Sequence, residues 1–128
     1  YRTIAKKNKR AVAGLSMGGF HTMFISANHP ELFDYIGLFS AGLNMSTVNF
    51  DIPAYSNMTG KLSDLDKAGY KLYWIACGTD DFLYQNNLDF MKTLDEIDFE
   101  YTYHESDRGH IWANWRQYLL LFTPMLFK

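Results

Sequence analysis

The sequence predicts an α/β fold, a mostly parallel sheet of about four strands with helices on both faces, and three observations carry that expectation. Strand-like apolar runs alternate with segments of helical period along the whole chain, the order that winds a parallel sheet. Two of the runs, Tyr35-Ile36-Gly37-Leu38-Phe39 and Leu72-Tyr73-Trp74-Ile75-Ala76-Cys77, are almost continuously apolar, as strands buried on both faces are. An earlier apolar run, Ala11-Val12-Ala13, ends in Gly14-Leu15-Ser16-Met17-Gly18-Gly19, a sharp glycine-rich turn between a strand and a helix.

Taken in order, residues 1–9 read as the last two turns of an amphipathic helix, with Ile4 and Ala5 apolar and no capping signal ahead of them. Residues 10–15 form the first strand and residues 18–28 the helix after the turn, which His29-Pro30 ends. Residues 33–40 are the second strand. Residues 41–60 mix Asn, Ser, Thr, Asp and Pro with scattered Met, Phe and Tyr and show no period, so they form a long loop or a few short turns. A short helix over 61–68 leads to the third strand, 71–77, which stops at Gly78. Residues 86–97 place Leu88, Met91, Leu94 and Ile97 on one face with charges between, an amphipathic helix. The alternation of 99–105 gives the fourth strand, and an aromatic-rich helix over 111–127, interrupted near Pro124, closes the chain. There is no internal repeat and no linker, so residues 1–128 form one domain.

The 128 residues are 48% hydrophobic and 17% aromatic, enough for one core and too apolar for a disordered chain. A net charge of -2 gives no general attraction to nucleic acid or to an anionic membrane surface, and neither is expected as a partner. Lys6, Lys7, Lys9 and Arg10 form one basic cluster, suited to the solvated C-terminus of a helix. Cys77 is the only cysteine and lies in an apolar run, so it reads as a small buried residue rather than a reactive thiol. No apolar run is long enough to cross a bilayer, and residues 1–6 lack a signal peptide's apolar region. No histidine pair has ligand spacing with a cysteine or carboxylate motif, so neither a metal nor a cofactor is expected.

A serine hydroxyl attacks a carbonyl only if a histidine takes its proton and a carboxylate holds that histidine in the right tautomer. G-x-S-x-G between strand and helix is the nucleophile elbow, where glycines two residues either side of the serine let strand and helix approach, and the acid and histidine follow in that order. Gly78-Thr79-Asp80-Asp81 follows the third strand and Arg108-Gly109-His110 the fourth, so Ser16, an aspartate and His110 all fall at carboxyl ends of strands. His21 lies on a helix, His29 at a helix end and His104 inside a strand, which leaves His110 as the base. Asp81 is preferred as the acid; Asp80 suits a turn cap equally well, and Asp107 reads as a loop charge.

Ala13-Gly14-Leu15-Ser16-Met17-Gly18-Gly19, Gly78-Thr79-Asp80-Asp81, and Gly109-His110-Ile111-Trp112 leading into Trp115-Arg116-Gln117-Tyr118-Leu119 resemble the esterase D group, above all the first carbohydrate esterase family. That family holds feruloyl and acetylxylan esterases, with enterochelin esterases, formylglutathione hydrolases and mycolyl transferases as relatives. The resemblance covers the whole chain and implies the C-terminal half of an α/β-hydrolase domain, truncated of its upstream strands. It implies Ser16 as nucleophile, Asp81 as acid, His110 as base and the backbone N–H of Met17 as one oxyanion donor, the second donor lying upstream. Trp112 would flank the site or else pack in the core, and the loop over 43–60, with Met45, Phe50, Tyr55 and Met58, would line part of the acyl pocket. The function implied is a serine carboxylesterase acting on feruloyl or acetyl esters of plant cell-wall polysaccharide, secreted or periplasmic. The alternatives are a catalytically silent piece that needs an upstream segment or partner chain, and a related acyl hydrolase of the enterochelin-esterase kind. The elbow strand, central in that family, would have one unpaired edge here, and Ala11-Val12-Ala13 carries no charge or proline against pairing. A second copy, or an N-terminal segment of the same protein, is the expected cover, and Tyr35, Ile36, Leu38 and Phe39 are expected to lack part of theirs.

Overall fold

Four parallel strands, β1 (Ala11–Leu15), β2 (Tyr35–Phe39), β3 (Leu72–Gly78) and β4 (Thr102–Ser106), lie side by side in the order β1-β2-β3-β4. The computed structural model describes residues 3–43 and 49–128. The intervening helices are α1 (Met17–Asn28), α2 (Met58–Ala68) and α3 (Tyr84–Asp95), and α4 (Trp112–Phe122) follows the last strand. The register sets Ala13 opposite Gly37, Gly37 opposite Trp74 and Trp74 opposite Thr102.

This order explains how the helices divide between the faces. Parallel crossovers are right-handed, so three successive steps in one direction carry α1, α2 and α3 over the same face. There Met23 and Phe24 of α1, Leu62 and Leu65 of α2 and Phe90, Met91 and Leu94 of α3 pack on Ile36, Leu38, Tyr73 and Ile75. Strand side chains alternate, and the other face carries Phe39, Trp74 and Ala76 under Tyr118 and Phe122 of α4. Both faces are covered, but unequally.

The expected deficit of cover on the second strand is corrected by the structure. Tyr35, Ile36, Leu38 and Phe39 are all buried, at most 5% exposed. α4 supplies the cover on its side by aromatic bulk: Phe39 meets Trp74, Tyr118 and Phe122 edge-on at ring separations of 5.3, 6.0 and 5.6 Å. β1 is different, for it pairs only with β2 among the described residues and none of its residues is fully buried.

Several element boundaries also differ from expectation, three of them instructively. Among the described residues 3–9 the only helical element is a 3-10 turn at Lys7–Lys9, and Ile4 is exposed, as a short uncapped helix is unstable on its own. Lys7 nevertheless serves a helix C-terminus, that of α2: its ammonium donates to the carbonyls of Ala68 and Gly69 and lies 3.6 Å from Asp34. α2 begins at Met58 rather than 61, since Met58, Leu62 and Leu65 share the face turned to the core. β4 begins only at Thr102, because Phe99 turns into the core against Tyr70 and Tyr73 instead of pairing.

The turns after β3 and β4 touch through backbone. A Cβ on Gly78 would stand 2.1 Å from the carbonyl oxygen of Arg108, whereas one on Gly18 would meet nothing within 4 Å. Gly78→Ala should therefore destabilise the fold by about 1–3 kcal/mol, while Gly18→Ala should be neutral or stabilising by about 0.5 kcal/mol; urea unfolding of the two variants checks the contrast. Cys77 is fully buried, and burial first, with the Asp81 charge adding to it, pushes its thiol up to about 12. Its thiolate is scarce at neutral pH, so native protein should resist iodoacetamide at pH 8 and be alkylated once unfolded, as followed by mass spectrometry.

Candidate active site

Ser16 links β1 to α1 at φ 52, ψ -117, a conformation that residues with a side chain rarely adopt. Three hydrogen bonds hold it there: its N–H donates to Phe39 at 2.9 Å, and its carbonyl accepts from Gly42 at 3.1 Å and Phe20 at 3.2 Å. Glycine makes the turn possible, but the pair differs from that expected. A Cβ on Gly14 would lie 2.2 Å from the Gly18 backbone and one on Gly19 2.4 Å from Cβ of Ala41, so the required absences are at Gly14 and Gly19.

The structure brings Ser16, His110 and Asp81 into one hydrogen-bonded line. Oγ of Ser16 is 2.9 Å from Nε2 of His110, and Nδ1 of His110 is 2.9 and 3.1 Å from the two carboxylate oxygens of Asp81. An ionised carboxylate only accepts, so it fixes the ring proton at Nδ1 and leaves Nε2 to accept from the serine hydroxyl. The Asp81 side chain is wholly buried and that of His110 is 19% exposed. Asp81 also accepts from the N–H of Leu83 at 2.9 Å, which orients the carboxylate. Asp80 and Asp107 are exposed, Asp80 contributing its backbone N–H to the Arg108 carbonyl at 3.0 Å. Among the other histidines, His21 is exposed on α1, His29 lies 3.5 Å from Glu31 at the helix end and His104 stacks on Trp74.

The loop that carries His110 is pinned from α4. The buried Asn114 amide donates to the carbonyls of Asp107 at 2.9 Å and Gly109 at 3.1 Å, across a turn in which Arg108 takes φ 64. Asn87, also buried, does the same on the other side, donating to Ala41 and Leu83. Sequence reasoning singled out neither; an amide in the first turns of a helix that follows a site loop is the only signal it offered.

Beside Ser16 opens a cavity of about 380 Å³ lined by Met17, Phe20, Gly42, Phe82, Leu83 and Asn86 as well as the serine. Met17 is the first residue of α1, where a backbone N–H has no partner within the helix. Of the residues expected to line an acyl pocket, none of those described borders this cavity. Tyr55 packs behind Phe20 and against Phe24, Phe50 is exposed outside the cavity, Met58 is in the core, and Met45 falls outside the described residues. Trp112 is 65% exposed, so it is no core residue, and it borders a separate groove between β1 and α4 with Trp115 and Leu119. Phe82, which sequence reasoning passed over, lies with its ring centre 4.6 Å from that of His110. Among the described residues no three His, Cys, Asp or Glu side chains cluster as a metal site would need.

An acetyl esterase of Caldicellulosiruptor saccharolyticus is 26% identical over 141 residues, covering 89% of this chain and 53% of that protein. An endo-1,4-beta-xylanase/feruloyl esterase of Xylanibacter ruminicola is 51% identical over 45 residues, 35% of this chain and 6% of its own length. Among solved structures, the fluorophosphonate-binding serine hydrolase FphF of Staphylococcus aureus superposes with a TM-score of 0.83 at 25% identity, over 98% of this chain and 57% of that one. The chain thus spans about half the length of the acetyl esterase and of the serine hydrolase, and its four parallel strands are part of an α/β-hydrolase fold. The family model described as "Putative esterase" matches residues 1–124, and the chain belongs to that esterase family.

Proposed function

We propose that this chain carries the nucleophile, base and acid of a serine carboxylesterase, and the observation that supports this is the unbroken line Ser16–His110–Asp81. Oγ of Ser16 attacks the ester carbonyl carbon while Nε2 of His110 takes its proton; the imidazolium, steadied by buried Asp81, then returns that proton to the departing alkoxy oxygen. An acyl-serine remains. Water attacks it with His110 again as base, the carboxylic acid leaves, and Ser16 regains its proton. The N–H of Met17, at the positive end of α1, donates to the oxyanion. A second donor lies outside this chain, and the loss of one such donor costs about 100- to 1,000-fold in turnover. The substrate class, feruloyl or acetyl esters of plant cell-wall polysaccharide, is supported by the acetyl esterase and the xylanase/feruloyl esterase among the relatives. A fluorophosphonate probe should add one mass increment at Ser16 and none in Ser16→Ala. His110→Ala should lose ester hydrolysis to the same level as Ser16→Ala, because such residues act as a unit. Asp81→Asn should lower kcat by about 1,000-fold or more, and Asp80→Asn should change it little; the reverse order would move the acid to Asp80.

A second reading concerns assembly, and the free edge of β1 favours it. We propose that another segment of the same protein, lying upstream, pairs with that edge and completes the site, the chain alone being catalytically silent. Its support is the single pairing of β1 among the described residues, the exposure of Trp112 and Leu119 beside it, and the share of the relatives' length that the chain leaves unmatched. Residues 1–128 alone should self-associate at low micromolar concentration in sedimentation and exchange the amides of 11–15 rapidly. A cooperatively unfolding monomer with those amides protected would overturn this reading, and a stable symmetric dimer would make a second copy the cover.

A further inference from the structure

Resting on the esterase reading, we propose that Phe82 determines acyl specificity, forming with Phe20 the aromatic walls of a site beside Ser16 that takes a planar aromatic acyl group in preference to acetyl. The cavity's volume of about 380 Å³ is within the range that holds a ligand of many atoms, and an acetyl group would leave most of it to water. Its lining is apolar at Met17, Phe20, Phe82 and Leu83, and Asn86 is the one amide among the described residues that border it. Phe20 is a fixed wall, backed by Phe24 at 4.6 Å and Tyr55 at 6.1 Å.

Phe82 is the open wall. It is 75% exposed, although its backbone is held between two anchors: Asp81 accepts from the N–H of Leu83 through its carboxylate and from that of Tyr84 through its carbonyl, both at 2.9 Å. A rigidly presented phenyl ring left in water gains by being covered, and an acyl chain extending from Ser16 is placed to cover it. Against the His110 ring it is tilted by 51°, so the ring borders the imidazole as well as the cavity. Offset or tilted contact with a second aromatic plane is the geometry aromatic rings favour.

The test uses 4-nitrophenyl ferulate and 4-nitrophenyl acetate, which share a leaving group, on the whole protein with its upstream segment, as wild type, Phe82→Ala and Phe82→Tyr. Wild type should prefer the ferulate, and Phe82→Ala should lower the ferulate-to-acetate ratio of kcat/KM by about 10- to 100-fold, chiefly through KM for the ferulate, as loss of an apolar contact does. Phe82→Tyr should keep the ratio within about three-fold, since the ring remains. An unchanged ratio in Phe82→Ala overturns the proposal, whether both rates fall together through His110 or neither falls. Wild-type preference for acetate, with Ser16 still labelled by fluorophosphonate, overturns the acyl assignment alone. Failure of Ser16 to label, with neither ester cleaved, overturns the esterase reading and this proposal with it.

Discussion

The loops that bear Asp81 and His110 are held together by backbone, at a crossing where Gly78 leaves no room for a Cβ beside Arg108 and where Thr79 and Asp80 donate to the carbonyls of Ser106 and Arg108. The Asp81–His110 distances depend on that crossing. If the two loops were separated by the width of a methyl group, the hydrogen bonds to the carboxylate would pass beyond useful length, since such bonds weaken steeply with distance and angle. The elbow uses the same device, with Gly14 under the backbone of Gly18 and Gly19 against Ala41. Side chains form the hydrogen-bonded line, but peptide groups in contact set where they stand.

Supports of a second kind surround these contacts. Asn114 and Asn87 each spend a buried amide on two loop carbonyls, one on the histidine side and one between the loop after β2 and the start of α3. A buried carbonyl without a partner is costly, and an amide that serves two of them fixes a turn that has no regular ladder of its own. The strained Ser16 is tied in the same way by Phe39, Gly42 and Phe20. The turn is thereby stiff where the hydroxyl has to be presented and open at the cavity beside it.

What could be read from the sequence was set by residue type at fixed spacing. That Ser16 and His110 meet was legible because a serine between glycines at a strand-to-helix turn, with a histidine later in the chain after a strand, follows the order of a known arrangement. The choice between Asp80 and Asp81 was less so, and burial separates them: one is exposed and the other has a fully buried side chain. The alternation of elements announced two covered faces but not their inequality, which depends on strand order, a property that no local pattern contains. Phe82, Asn87 and Asn114 were invisible for a related reason. Nothing in a Phe or an Asn marks it as bordering an imidazole or pinning a loop; only the approach of distant segments does. Tyr55 shows the converse, an aromatic in an irregular loop that looked like pocket lining and is packed behind Phe20.

The sequential order of the strands also has a meaning during synthesis. Each of these four strands lies beside the one made just before it, so none of them has to insert between two made earlier. Of these residues Ser16 is made after β1, Asp81 after β3, and His110 only after β4. A nascent chain therefore holds its Ser16 hydroxyl without the His110 acceptor until nearly all of these residues have been made.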